Sequence, residues 1–147
     1  MGSGSRKAAA MMTAAAAMVA LAGCGGGSGG TPKERWTSKN GSNVSTFSDD
    51  LDAAQSALTN GDRPTILRAC NQLTADIKSF RPKALPVPNG AVDGPLRVAF
   101  DKSGSGADDC LAGSRVSDAA ALERAIPTLR EARASLTTAQ DALTAWQ

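Results

Sequence analysis

The chain contains no histidine and no tyrosine among its 147 residues, and all four methionines lie within the first eighteen positions. Without histidine there is no imidazole base, no Ser-His-Asp or Cys-His catalytic arrangement and no histidine ligand for a metal. The serine, threonine and lysine residues form no phosphate-binding loop and no Ser-x-x-Lys motif. Two tryptophans and three phenylalanines are too few to indicate a sugar-stacking platform. The sequence therefore predicts a protein that is not an enzyme and that has no cofactor and no metal.

The first 24 residues have the pattern of an export signal. Arg6 and Lys7 precede an alanine-rich apolar run over residues 8–21, which is too short to span a bilayer but has the length of the hydrophobic part of a signal peptide. The run ends in Leu21-Ala22-Gly23-Cys24. A buried N-terminal helix with an incidental cysteine is the alternative, and the three glycines that follow Cys24 disfavour it.

The segment Leu21-Ala22-Gly23-Cys24 resembles the lipobox of bacterial lipoproteins. With its alanine- and arginine-rich composition, the whole chain resembles the small helical lipoproteins of actinobacteria, such as those of mycobacteria and streptomycetes. The resemblance implies that residues 1–23 are removed as a signal peptide and that Cys24 is lipidated with acyl chains such as palmitate. It also implies that the protein is exported and anchored to the outer face of the cell membrane, as a component of the cell envelope. The resemblance implies no particular reaction.

Removal of the predicted signal peptide changes the net charge of the chain. The complete chain has 16 basic and 14 acidic side chains. Arg6 and Lys7 leave with residues 1–23, so the mature chain is formally neutral. The composition therefore gives no argument for nucleic-acid binding, which requires a concentrated basic face.

Residues 24–43 lack apolar periodicity and are predicted to form the lipidated cysteine and a flexible, disordered tether. Trp36 is the one large apolar residue in this segment. Its placement stays open between docking on the domain, insertion at the lipid interface and loose packing at the surface.

Residues 44–147 are predicted to form an all-α, up-down four-helix bundle, because apolar residues recur there at alternating spacings of three and four. The first helix is expected to begin near Val44, with Thr46 or Ser48 as its cap, and to end at Asn60-Gly61. Asp62 is predicted to cap the second helix, which ends at Arg81-Pro82.

The third helix is predicted to start at Asp93 and to be weakened or broken by Gly104 and Gly106. Ser117 or Asp118 is expected to cap the fourth helix, which Pro127 kinks or divides.

Cys70 and Cys110 fall on the inward faces of consecutive helices and are predicted to form a disulfide, with two free buried thiols as the alternative. Closing a loop of about 40 residues stabilises a fold by about 3 to 4 kcal/mol. Cys70 lies about 15 Å from the end of its predicted helix, and Cys110 lies about 23 Å from the start of its own. For the two cysteines to meet, either the third helix begins beyond the end of the second, or the glycine interruption shortens the distance between Cys110 and the start of its helix.

Two function hypotheses follow. The first is a non-enzymatic interaction or accessory module with an envelope protein as partner, which an exposed apolar patch on a solid core would favour. The second is a carrier of a small apolar ligand or lipid between the helices. The expected lining of that cavity is Leu73, Ile77, Phe100, Leu129 and Leu136.

Some charged side chains are candidates for chemistry. The adjacent pairs Asp49-Asp50 and Asp108-Asp109 are expected to be solvated and not to form shared sites, because neighbouring residues on a helix diverge by about 100°. Arg68 is expected to reach solvent along the second helix rather than to bind a ligand.

Overall fold

A computed structural model describes residues 29–147, so the predicted signal peptide and Cys24 lie outside the described residues. The described part contains four helices and no strand. The helices are α1 (Pro32–Asn60), α2 (Arg63–Ala84), α3 (Gly90–Val116) and α4 (Ala119–Ala145). Consecutive helices pack against each other, and α1 also packs against α4. The predicted all-α four-helix bundle is confirmed.

The first helix begins twelve residues before the predicted start at residue 44, so the expected tether is wrong for residues 32–43. Thr31 and Glu34 form a reciprocal capping box: Thr31 Oγ1 accepts from the Glu34 amide at 3.2 Å, and the Thr31 amide donates to Glu34 Oε2 at 2.7 Å. Pro32 occupies the first helical turn, where its missing N–H costs no hydrogen bond.

The polar start of α1 is held by contacts to the ends of two other helices. Trp36 is 7% exposed, and its indole Nε1 donates to the Ala84 carbonyl at 2.9 Å. Lys33 Nζ donates to the Trp146 carbonyl at 2.6 Å and to the Thr144 carbonyl at 3.3 Å. These donors satisfy carbonyls at the C-terminal ends of α2 and α4, which have no partner within their own helices. Of the three placements open for Trp36, docking on the domain is the one observed.

Two further helix limits differ from the prediction. The second helix continues past Pro82 to Ala84. Pro82 lacks only its own backbone N–H, and the helical hydrogen-bond pattern resumes after it, with the Leu85 amide donating to the Arg81 carbonyl at 3.1 Å. The third helix starts at Gly90, and its cap is Asn89, whose Oδ1 accepts from the Ala91 amide at 2.9 Å. The predicted starting residue, Asp93, instead accepts from the Val87 amide at 2.7 Å.

The third helix is continuous through Gly104 and Gly106, so the predicted break is wrong. A Cβ atom at Gly106 would lie 2.5 Å from Leu129 Cδ2, which shows how closely α3 and α4 approach each other there. Burial against α4 offsets the poor helix propensity of the two glycines. Because the helix is unbroken, the register of the cysteines is explained by α3 extending beyond the end of α2.

The turn between α3 and α4 follows the prediction more closely. Ser117 adopts a left-handed conformation (φ 59°) and ends α3. Of the two predicted caps, Ser117 and Asp118, the structure has Asp118 as the cap of α4. Its Oδ1 accepts from the Ala121 amide at 3.2 Å. The last helix passes through Pro127 without being divided.

The core contains the predicted disulfide between Cys70 and Cys110, whose Cα atoms are 6.3 Å apart and whose side chains are fully buried. The bond joins α2 to α3, so the predicted disulfide is confirmed and the alternative of two free thiols is wrong. The rings of Phe47 and Phe100 belong to the same core and pack against each other, with their centroids 4.6 Å apart.

Candidate functional site

An open groove of about 560 Å³ lies between α1 and α2, next to the tight turn that joins them. Its floor and walls contain small residues such as Ala53, Ala57 and Ala69. Small side chains leave space between two helices that otherwise pack together along their length. The turn is fixed at Gly61, where a Cβ atom would come within 2.6 Å of the Ala57 carbonyl oxygen. This volume is within the range of about 300 to 1,000 Å³ that small-molecule sites occupy.

Polar groups line the rest of the groove. Asp50 contributes from α1, and Thr65, Arg68 and Gln72 contribute from α2. Arg68 is exposed, as expected, but it also forms part of the groove wall. The groove therefore combines an apolar floor with a carboxyl group on one side and a guanidinium group on the other.

Asp76 of α2 is a close acidic neighbour of Asp50 and acts on its pKa. Asp76 is only 8% exposed, and its Oδ2 accepts from Gln72 Nε2 at 3.0 Å. Asp50 Oδ2 is buried and has no hydrogen-bond partner among the described residues. A neighbouring negative charge disfavours the ionised form of such a carboxyl group.

The environment raises the pKa of Asp50 from 3.8 to about 6. Burial contributes most, because it penalises the charged form, and the neighbouring Asp76 side chain contributes next. The negative charges of Asp76 and Asp49 act in the same direction. Asp50 is therefore a titratable carboxyl group that lines an open groove and changes its charge near pH 6.

The adjacent acidic residues do not form shared sites. Asp49 is exposed, as expected. Asp50 faces the groove and its Oδ2 is buried, so the expectation of a solvated side chain is wrong for Asp50. Asp109 pairs with Arg124 at 3.1 Å, and Asp108 is exposed. The carboxyl pair that does form, Asp50 with Asp76, was not predicted. Asp76 lies three residues after the buried Leu73 and could have been found as a charged residue at the spacing of the buried stripe.

The five residues expected to line an interhelical cavity lie in the packed core. Leu73, Phe100, Leu129 and Leu136 have no exposed surface, and Ile77 is 8% exposed. None of them lines the groove or the two smaller pockets, of about 290 and 250 Å³, at the same end of the bundle. The groove of about 560 Å³ lies at the surface of the α1–α2 pair. The pocket of about 250 Å³ is lined by residues of α2, α3 and α4 near the α3–α4 turn, and none of the five expected residues belongs to it.

An exposed apolar patch is also not observed in residues 29–147. The large apolar side chains exposed there are Val98 and Val116, which are eighteen residues apart in α3 and hence separated by about 27 Å. Two isolated exposed valines are ordinary for a protein surface. The groove is consequently the strongest candidate for a binding surface.

Within residues 29–147, no group of three or more potential ligands could hold a metal ion. No helix of this part of the chain is both long and apolar enough to cross a membrane. Comparison with known proteins gave no matching family model, no matching curated protein and no matching solved structure.

Proposed function

We propose that the protein is a lipid-anchored component of the cell envelope whose helical bundle is a non-enzymatic binding module. Export and anchoring are supported by the basic residues, the apolar run and the lipobox-like segment that ends at Cys24. The disulfide between Cys70 and Cys110 belongs to a type that persists in oxidising compartments outside the cytoplasm. In this proposal the acyl chains on Cys24 hold the bundle at the outer face of the membrane.

The α1–α2 groove is the proposed binding surface, and it is the observation that carries the proposal. Its carboxyl group, Asp50, suits a partner that inserts a basic side chain next to a small apolar contact. A cation beside Asp50 favours the ionised carboxylate and so opposes the upward shift of its pKa. Binding should therefore weaken as the pH falls below about 6, where Asp50 becomes protonated.

The carboxyl pair is proposed to bind and not to catalyse. Carboxyl pairs that share a proton serve as acid–base groups in some hydrolases, where both groups act on the substrate. In this groove Asp50 is part of the wall, whereas Asp76 lies behind it and is 8% exposed. A bound molecule meets one carboxyl group of the pair, which supports a binding role.

A carrier of a small, largely apolar ligand is the second candidate. The size of the groove and its alanine floor favour it. The interior lining expected for such a carrier is occupied by packed core residues, so the ligand would lie in the groove with one side open to solvent.

Site-specific photocrosslinking in the protein's own cells tests both candidates. A crosslinking amino acid replaces Ala53, which lines the groove, or Ala134, an exposed residue of α4 outside it. We expect a protein adduct from position 53 and none from position 134, and Asp50→Asn should suppress it. A lipid or small-molecule adduct at position 53 would favour the carrier. Equal adducts from both positions, or an adduct insensitive to Asp50→Asn, would contradict the groove as the binding surface.

A further inference from the structure

The charged side chains are divided unequally between the two ends of the bundle, although the mature chain is formally neutral. We call residues 30–46, 77–103 and 134–147 the basic half, because they hold eight basic and four acidic side chains. The remaining residues, 47–76 and 104–133, form the acidic half, with six basic and ten acidic side chains. The boundary crosses the antiparallel helices at about the same level. The two halves thus carry formal charges of about +4 and −4, which is a separation along the long axis of the bundle.

Four basic side chains of the basic half are exposed and take part in no ion pair among the described residues. They are Arg35, Lys39, Lys78 and Lys83.

Two other cations of this half are paired within it. Arg81 pairs with Asp101 at 2.6 Å, and Arg97 pairs with Asp93 at 2.6 Å. Glu34 and Asp141 are the exposed acidic side chains of this half outside any ion pair, so its exposed unpaired cations outnumber its exposed unpaired anions by four to two. The long side chains of these four cations can reach an anionic surface without disturbing an existing ion pair.

The basic half is also the end nearest to the proposed anchor. Pro32 begins α1 there, beside the last turns of α2 and α4, as the contacts of Trp36 with Ala84 and of Lys33 with Trp146 show. The helix cap Thr31 lies seven positions after Cys24, so the connection spans at most roughly 25 Å. The acidic half begins about 20 Å further along the bundle.

We infer that the basic half lies on the anionic headgroups of the bilayer in which Cys24 is anchored, an inference that rests on the proposed lipid anchoring. A basic surface near anionic lipids is attracted at distances within about a Debye length, roughly 8 Å at physiological salt. The short connection keeps the four exposed cations close enough for this attraction to act. An approach of the acidic half to within a Debye length would be repelled, so the bundle stands on its basic end with the α1–α2 groove directed away from the membrane.

Amine footprinting of the full lipidated protein tests the inference. The protein is reconstituted into vesicles of phosphatidylcholine alone, or with about 30 mol % phosphatidylglycerol, and the acetylation rate of each lysine is measured by mass spectrometry. We expect Lys39 and Lys78 to react at least about threefold more slowly on the anionic vesicles, and to recover in 1 M salt, where the Debye length is about 3 Å. Lys102 serves as the internal control, because it lies at the boundary of the basic half, away from the end near the anchor, and pairs with Glu131 of the acidic half.

Two charge-matched variants locate the interaction. Arg35→Glu with Lys83→Glu removes two cations from the basic half and should abolish the protection of the remaining lysines. Arg68→Glu with Arg115→Glu makes the same change in net charge in the acidic half and should leave the protection intact.

The outcomes separate this inference from the anchoring on which it rests. If the protein floats with both kinds of vesicle but its lysines react equally on each, the inference is overturned and the anchoring stands. If both double variants lose protection to the same extent, the basic half is not the contact surface. If the Cys24 peptide carries no acyl mass and the protein does not float with phosphatidylcholine vesicles, the proposed anchoring fails and the inference fails with it.

Discussion

Replacing Asp50 by asparagine should stabilise the protein at neutral pH. Burial and the neighbouring Asp76 raise the pKa of Asp50 from 3.8 to about 6 in the folded protein. Between these values the folded state binds a proton that the unfolded state releases. The free energy of unfolding therefore decreases as the pH rises through this window, and the whole cost of the buried charge is present above about pH 6.

The size of the effect follows from the same values. A change in pKa from 3.8 to about 6 corresponds to about 3 kcal/mol before solvent screening is considered. Asp50 lines an open groove and remains partly exposed to water, so screening reduces the expected cost to about 1 to 2 kcal/mol. Asparagine has nearly the same shape, carries no charge and can donate its amide to Asp76. For a domain of this size, the gain corresponds to an increase in Tm of about 4 to 8 °C.

Urea denaturation followed by circular dichroism between pH 4 and pH 8 measures this difference, with the mature chain made non-lipidated by Cys24→Ser. The Asp50→Asn protein should gain about 1 to 2 kcal/mol relative to wild type at pH 7, and the gain should vanish towards pH 4. Asp108→Asn is the control, because Asp108 is exposed and does not line the groove. A gain that does not vary with pH, or a loss of stability at pH 7, would contradict the cost assigned to the ionised Asp50 carboxylate.

Two further predictions concern the core. Replacing both Cys70 and Cys110 by alanine should lower the free energy of unfolding by about 4 kcal/mol, because the bond closes a loop with a sequence separation of 40 residues; a loss below 1 kcal/mol in urea denaturation would refute this. Gly106→Ala should destabilise the protein by about 1 to 3 kcal/mol, because its Cβ would overlap a leucine of α4, whereas Gly104→Ala meets nothing within 4 Å and should stabilise by up to about 1 kcal/mol. Equal changes in Tm for the two glycine variants would contradict the close approach of α3 and α4.

The bundle could be predicted from the sequence because apolar residues recur at regular helical spacing after residue 44. The start of α1 carries no such stripe, so periodicity alone assigned it to a tether. Its stability comes from tertiary contacts, in which Lys33 and Trp36 donate to carbonyls at the ends of α4 and α2. A local signal was nevertheless present: the sequence Thr31-Pro32-Lys33-Glu34 contains the residues of a capping box, with proline in the first turn.

The candidate site was harder to predict than the fold. A groove forms where small residues of two helices face each other, and alanines occur on every helix of this chain, so composition does not distinguish the groove from the core. The pairing of Asp50 with Asp76 depends on the relative register of α1 and α2, which periodicity within a single helix does not define. Only the position of Asp76 within the spacing of the buried stripe marked it as unusual.

The helical start of α1 also determines how far the groove would stand from the membrane in the proposed arrangement. A tether up to residue 43 would let the domain adopt any orientation, whereas a helix from Pro32 attaches the anchor to one end of a rigid bundle. Asp50 lies eighteen residues after Pro32, about 27 Å along the helix, and Asn60 ends the same helix at about 42 Å. If the basic half lies on the bilayer, as we propose, the groove and the acidic half face outward, where their negative charge would attract a basic segment of an envelope protein. In this proposal one separation of charge both orients the bundle and gives its outer end the charge that a basic partner requires.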